Sequence, residues 1–294
     1  MSVQASAAGE WHRPGSLAEA LDIRARAKDA VVPAAGCTDL MVGWNAGAGR
    51  WPTVLDLSAL PELNRIDVDD AGVTIGAAVS CSRLANHPAV AGRLPMLVAS
   101  ARQTGSVAIQ NRATLGGNIM NASPAADNPP VLLAYGARLT LASTRGSRSI
   151  DYADFHLDYK RTRAEPDELL VSVTVPFPSP YASVHYRKVG TRRAQAISKV
   201  ALSVLLDAGA GVVREARFAF ASMGPVPLLA GSLSAALRGR PLAGIDPALV
   251  TRALATDLSP RDDIRSTADY RRQVAVNLVM AAIADASAAE ARRN

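Results

Sequence analysis

The chain has 294 residues, of which 49% are hydrophobic and 20% charged, enough for two cores of roughly 100 to 200 residues each. A formal charge of +6 and a pI near 9.7 bring nucleic acid, membrane surfaces and anionic small molecules into consideration as partners. The arginines, however, are scattered among acids without a run of five basic residues, and 4% aromatics offer few stacking platforms, so nucleic-acid binding is disfavoured.

No apolar run approaches the roughly 18 to 20 residues of a membrane helix, and MSVQASAAGEW has no apolar signal core, so a cytoplasmic chain without a membrane span is expected. Two cysteines, Cys37 and Cys81, are too few for a disulfide framework, and an iron–sulfur cluster normally takes four thiolates, so this chain alone holds none. His12, His87, His156 and His185 lack the spacing of a metal site. Neither a metal centre nor a catalytic nucleophile–base pair is predicted.

In chain order, Ser16 followed by Glu19 opens a helix to about Ala27, and Ala30 to Ala34 reads as a buried strand. The turn Ala35-Gly36-Cys37-Thr38 leads into a helix beginning at Asp39, before a glycine-rich stretch from Gly43 to Gly49. Val54 to Leu57 is a strand, and Ile66 to Ala77 is a hairpin around Asp69-Asp70-Ala71-Gly72. Ser80 or Ser82 caps one helix and Pro95 opens another. Residues 113 to 130, ATLGGNIMNASPAADNPP, hold so many glycines and prolines that a regular ladder is excluded over most of the tract. Pro130 starts a small helix, and Leu139 to Leu141 and Leu169 to Val175 are strands.

Pro176-Phe177-Pro178-Ser179-Pro180 then marks a domain boundary. Beyond it lie strands at 184–189, 197–206 and 213–221, and helices at about 228–237, 248–255 and 269–288. The pattern predicts an α+β chain whose first half is mixed and whose second half is a small sheet with helices on one side.

Two tracts of small residues carry the chemistry. Pro33-Ala34-Ala35-Gly36-Cys37-Thr38-Asp39 and Thr114-Leu115-Gly116-Gly117-Asn118 let backbone N–H groups approach a phosphate and add hydroxyl and amide donors, so together they suggest a diphosphate cradle. Neither has the G-x-G-x-x-G or P-loop spacing, and each on its own also reads as an ordinary turn.

The same tracts carry a family resemblance. Ala35-Gly36-Cys37-Thr38-Asp39-Leu40 resembles the A-G-G-T-D-L loop of the flavoprotein subunit of the molybdenum hydroxylases, the family of carbon monoxide dehydrogenase and xanthine dehydrogenase. Thr114-Leu115-Gly116-Gly117-Asn118, followed by Ala122-Ser123-Pro124 and Asp127, resembles its second FAD loop. Tyr186 to Val200 and Ala268 to Arg272 resemble later segments, so the likeness runs from about residue 10 to 288.

The resemblance implies a two-part FAD-binding domain (PCMH-like) over residues 1–180, with a break near 58, and a C-terminal domain over 181–294 with a three-stranded sheet plus helices. It implies that Pro33, Ala34, Ala35, Gly36, Cys37, Thr38, Asp39 and Leu40 wrap the FAD diphosphate together with Thr114, Leu115, Gly116, Gly117 and Asn118. Asp127 would accept from ribose or ribityl hydroxyls, and Leu170 would lie beside the cofactor. Lys188 would sit near the flavin, where a cation favours the reduced anion and raises its potential; a solvated strand lysine is the other reading.

Cys37 stands where the family has glycine. The expectation is an allowed backbone conformation that still offers its N–H, with a buried, unreactive thiol. Partners implied are an iron–sulfur small subunit with [2Fe-2S] clusters and a molybdopterin large subunit, as a dimer of heterotrimers. The chain would then relay electrons to an external acceptor and oxidise no organic substrate itself. A self-contained flavin oxidase and a basic binding protein without a cofactor are the rival readings.

Overall fold

The computed structural model describes residues 10–46 and 53–293. Strand β1 (Trp11–His12), helix α1 (Leu17–Ala27), strand β2 (Val31–Ala34), helix α2 (Leu40–Asn45) and strand β3 (Thr53–Asp56) build a small parallel sheet of order β1-β3-β2. Ser16 caps α1 by accepting from Glu19 N at 3.2 Å, while Glu19 Oε2 accepts from Gly15 N at 2.7 Å. That is a capping box displaced by one residue on its return arm. Part of the predicted 43–49 stretch lies outside the described residues.

Strands β4 (Ile66–Val68) and β5 (Gly72–Gly76) form the expected hairpin, whose turn is tied by Asp69 Oδ1 accepting from Ala71 N and Gly72 N at 2.8 Å each. A helical layer follows: α3 (Cys81–Asn86), α4 (Pro88–Arg93), α5 (Pro95–Gln103), α6 (Val107–Arg112), α7 (Leu115–Met120) and α8 (Asn128–Tyr135). Ser80, not Ser82, caps α3. It leads to β6 (Arg138–Ser143), β7 (Gly146–Asp151), the two-stranded pair β8 (His156–Asp158) and β9 (Arg161–Thr162), and β10 (Leu169–Pro176). The antiparallel sheet has order β4-β5-β10-β6-β7 and shares a core with the helices through Ile75, Leu97, Leu132, Leu139 and Val173.

The tract at 113–130 is more regular than its composition predicts, since Gly116 and Gly117 lie inside helix α7. Thr114 Oγ1 accepts from Gly117 N at 3.0 Å, and Gly116 N donates to Ala77 O at 2.9 Å. A Cβ on Gly116 would stand 2.6 Å from Ala77, so glycine lets the helix sit directly on the end of β5. Helix α8 begins at Asn128, with Pro129 and Pro130 in the first turn where donors are dispensable, and ends at Gly136 with φ +71°.

The C-terminal sheet runs β11 (Ser183–Val189), β12 (Val200–Gly209), β13 (Val212–Ala221) and β14 (Leu228–Leu229), all antiparallel. It has four strands where three were expected, because Leu228–Leu229 pairs with β13 before helix α9 (Gly231–Leu237) begins. Strand β12 starts at Val200, and Ile197 belongs to the preceding loop. Helices α10 (Pro247–Asp257) and α11 (Ala268–Ala291) complete this part. Helix α11 has the length and apolar composition of a membrane span, contrary to the sequence expectation. Its Ala275, Val279, Ala282, Ile283 and Ala286 nevertheless pack with Leu202, Val204 and Phe218 of the sheet.

Candidate functional site

A cleft of about 900 Å³ opens between the small parallel sheet, the helical layer and the loop joining β11 to β12. That volume lies at the upper end of the roughly 300–1,000 Å³ of small-molecule sites. Its floor is the β2–α2 loop, Pro33 to Leu40, and the N-terminal end of α7, with Thr114, Gly116, Gly117 and Asn118. The first tract abuts the residues just before the second. An ideal Cβ on Gly36 would lie 2.0 Å from the carbonyl oxygen of Arg112, two residues before Thr114, so a side chain there would separate the loops.

The loops differ in what they offer. In the second, Leu115 N donates to Val79 O, Gly116 N to Ala77 O, Gly117 N to Thr114 Oγ1 and Asn118 N to Thr114 O. Those four amides are spent within the protein, so of the backbone donors expected from this tract only Thr114 N has no acceptor among the described residues. The tract also keeps side-chain donors. Asn118 Oδ1 accepts from Asn128 Nδ2 at 3.1 Å, which leaves the Asn118 NH₂ as the group offered to the cleft. In the first loop the N–H groups of Gly36, Cys37, Thr38, Asp39 and Leu40 have no acceptor among the described residues, nor does the Thr38 hydroxyl.

Cys37 corrects the sequence expectation. Its φ is +59°, so the tight turn between β2 and α2 requires the left-handed region that glycine fills without penalty. The thiol is half-buried, donates to Ala35 O at 3.7 Å, and burial raises its pKa, the opposite of an activated thiolate.

Asp127 and Leu170 line the cleft. Leu115 and Lys188 do not. Leu115 is fully buried in the central core at the first position of α7, where its N–H donates to Val79 O. Lys188 is buried rather than solvated, and its Nζ lies 2.8 Å from Asp127 Oδ2 and 3.1 Å from Gln103 O. Asp127 Oδ1 accepts from Ser198 Oγ at 3.1 Å and Tyr186 OH at 3.5 Å. Burial pushes the Asp127 carboxyl upward, against Lys188, Ser198 and Tyr186, which favour its charge.

Other lining residues carry no motif in the sequence. Arg24 on α1 reaches the cleft, donates from Nη1 to Lys28 O and to Val31 O at 2.7 Å, and is held below its ordinary pKa by burial. Glu168 closes the same end, gripped by Arg148 through Nε at 2.6 Å and Nη2 at 2.8 Å. Arg192, Gln195, Ala196 and Ile197, from the β11–β12 loop, cover the other side. Among the described residues no group of three His, Cys, Asp or Glu side chains could hold a metal ion.

A cleft of this size, floored by a glycine turn whose five amides have no acceptor among the described residues, has the make-up of a dinucleotide-binding site. The pattern described as "FAD binding domain in molybdopterin dehydrogenase" matches residues 4–178, and "CO dehydrogenase flavoprotein C-terminal domain" matches 185–286. The chain belongs to this family, the FAD-binding medium subunits of the molybdenum hydroxylases, which are multi-subunit oxidoreductases.

Among its relatives, caffeine dehydrogenase subunit beta of Pseudomonas sp. (strain CBB1) is 30% identical over 95% of this chain and 94% of its own length. The xanthine dehydrogenase FAD-binding subunit of Escherichia coli O157:H7 is 29% identical over 95% of this chain and 96% of its own. A solved carbon monoxide dehydrogenase from Hydrogenophaga pseudoflava, lacking the Mo-pyranopterin moiety of its cofactor, superposes with a TM-score of 0.91 at 26% identity. That match covers 96% of this chain and 98% of the other.

Proposed function

We propose that FAD lies in this cleft with its diphosphate over the N–H groups of Gly36 to Leu40. The observation that carries this reading is the row of five amide donors without acceptors among the described residues, on a loop that a neighbouring backbone holds in place. Pro33, Ala34 and Ala35 form the adjoining wall, Thr38 and Thr114 hydroxyls and the Asn118 NH₂ add donors, and Leu170 gives an apolar surface. Asp127 orients hydroxyl groups of the cofactor while remaining paired with Lys188. Because that pair is neutral as a whole, the field of Lys188 at the cleft is largely offset by Asp127.

Bound there, FAD would supply the electron-carrying chemistry. What this chain's residues do is bind, orient and shield. The chain receives electrons from [2Fe-2S] clusters of a small subunit, which receive them from a molybdopterin large subunit where substrate is hydroxylated. The assembly is a dimer of heterotrimers in the cytoplasm. The division into units 1–180, with a break near 58, and 181–294 is supported by the proline-rich 176–180 segment and by separate sheets on either side of it.

The test is purification of this chain without partners. It should carry flavin absorbance that a phosphodiesterase converts to FMN, and show no turnover of an aldehyde or a purine. Turnover at an ordinary rate would establish the self-contained oxidase instead. In the native complex, iron and molybdenum should both accompany FAD in fixed ratio.

A further inference from the structure

A second cavity, of about 230 Å³, shares Ala125 with the wall of the cleft. Its walls come from five places: Pro124 and Ala125 ahead of α8, Asp158 and Tyr159 at the end of β8, Ser198 ahead of β12, the 222–225 segment after β13, and the 259–271 segment that leads into α11. Arg271, only 4% exposed, is the fourth residue of this 24-residue helix. Its Nη1 donates to Ser222 O at 2.9 Å and Lys199 O at 3.2 Å, and its Nη2 to Asp263 Oδ1 at 2.7 Å. The buried Nε has no partner.

A buried cation at this position is electrostatically misplaced, because the positive end of the helix macrodipole already favours an anion there. Asp263 compensates incompletely. Its carboxylate also serves Arg265 N at 2.8 Å, Ser266 N at 3.0 Å and Arg265 Nη1 at 3.3 Å. Arg261 lines the same cavity, and its guanidinium, the Ser259 hydroxyl and the Gly224 N–H have no partner among the described residues. Three guanidinium groups, of Arg261, Arg265 and Arg271, therefore line the cavity with two carboxylates, Asp263 and Asp158, while the first turn of the helix is capped by Asp262 Oδ1, which accepts from Ala268 N at 2.6 Å, and by Thr267 Oγ1, which accepts from Tyr270 N at 3.2 Å.

The backbone is held to this shape. Ser222 has φ +65°, a conformation that costs a non-glycine residue roughly 1–3 kcal/mol. Its N–H donates to Pro124 O at 2.7 Å and its Oγ to Ser198 O at 2.8 Å, and Ser259 N donates to Met223 O at 2.9 Å, which ties these walls to one another.

From the excess positive charge, the free donors and the size of the cavity, we infer that it is a binding site for a small oxyanion, a phosphoryl or carboxylate group, separate from the flavin cleft. At about 230 Å³ it is smaller than sites for drug-sized ligands, so its occupant is an inorganic anion or a short acid rather than a dinucleotide. Arg261 and Ser259 are its direct donors, and Arg271 supplies the buried charge behind them.

The experiment is calorimetric titration of the full chain with inorganic phosphate and, separately, malonate, at constant ionic strength set by chloride. Flavin content is scored independently, so loss of the FAD reading leaves this result standing. Saturable 1:1 binding of either anion is expected, weakened about tenfold or more in Arg261→Gln, the loss of one charge-assisted hydrogen bond. The exposed Arg238→Gln should bind as wild type. Saturation by phosphate alone assigns phosphoryl groups, and by malonate alone carboxylates. No saturation above chloride, or unchanged affinity in a folded Arg261→Gln, overturns the inference; Arg271→Gln adds support only if its circular dichroism matches wild type.

Discussion

Lys188 Nζ lies 2.8 Å from Asp127 Oδ2, with the two side chains 7% and 9% exposed. The pair joins the start of α8 to β11, and Ser198 and Tyr186 complete the carboxylate's partners. Breaking a buried pair from one side strands the other charge, which costs about 3–5 kcal/mol. Asp127→Leu and Lys188→Met should each lower unfolding free energy by that order, and the Asp127→Leu/Lys188→Met double variant should recover much of the loss. Denaturant titrations of the set measure the coupling; strictly additive effects would show that the pair does not act as a unit.

Gly36→Ala should weaken FAD binding by about tenfold or more, since a Cβ 2.0 Å from the Arg112 carbonyl must displace the loop that carries the free amides. Gly43→Ala, which meets nothing within 4 Å, is the matched control and should keep its flavin. The ratio of flavin to protein absorbance after gel filtration decides between them. Equal flavin content in both variants would remove the close approach of the two loops from the account.

Cys37→Gly should stabilise the chain by roughly 0.5–1 kcal/mol, the relief of a left-handed φ less the added chain entropy of glycine. Cys37→Ala keeps the same strain and should melt close to wild type. Both should retain flavin, because the backbone N–H survives. Loss of flavin in Cys37→Ala alone would mean that the thiol itself contacts the cofactor.

His156 gives a pH dependence. Its Nε2 lies 2.9 Å from Tyr152 OH, its Nδ1 is buried without a partner, and burial lowers its pKa from 6.5 to about 4. Between those values the unfolded chain binds more protons than the folded one, so this contribution is fully present above pH 6.5 and is lost as pH falls toward 4. Replacing His156 by Gln, which can still meet the tyrosine hydroxyl, should flatten the stability profile in that window. An unchanged slope would place the acid sensitivity elsewhere.

Much of the fold was legible because it rests on local signals. Ser16, Pro95 and the Asp69–Gly72 turn each specify their own element through a cap, a preset φ or an Asx bond. Strand β7, GSRSID, was not legible, since five of its six residues are exposed and it has no apolar alternation; it exists because β6 offers it an edge. Helix α7 was hidden for the converse reason: two glycines suppress helix propensity, and only contact with Ala77 and the Thr114 cap outweighs that. Arg24, Glu168 and the 192–197 loop reach the cleft from distant parts of the chain and leave no local pattern.

The small residues at Ala35–Leu40 and Thr114–Asn118 pointed by themselves only to a backbone that closely approaches a neighbour or a phosphate, and it was their resemblance to the family's loops that implied a flavoprotein. Which donors remain free was decided only in three dimensions. Packing against Ala77 and Val79, just past β5, consumes the amides of Leu115 and Gly116, and Thr114 takes those of Gly117 and Asn118, whereas the first loop, held by its glycine against Arg112, keeps its own. Tertiary packing likewise turned Lys188 from a strand lysine into the buried partner of Asp127, since a charge removed from water must find its opposite nearby.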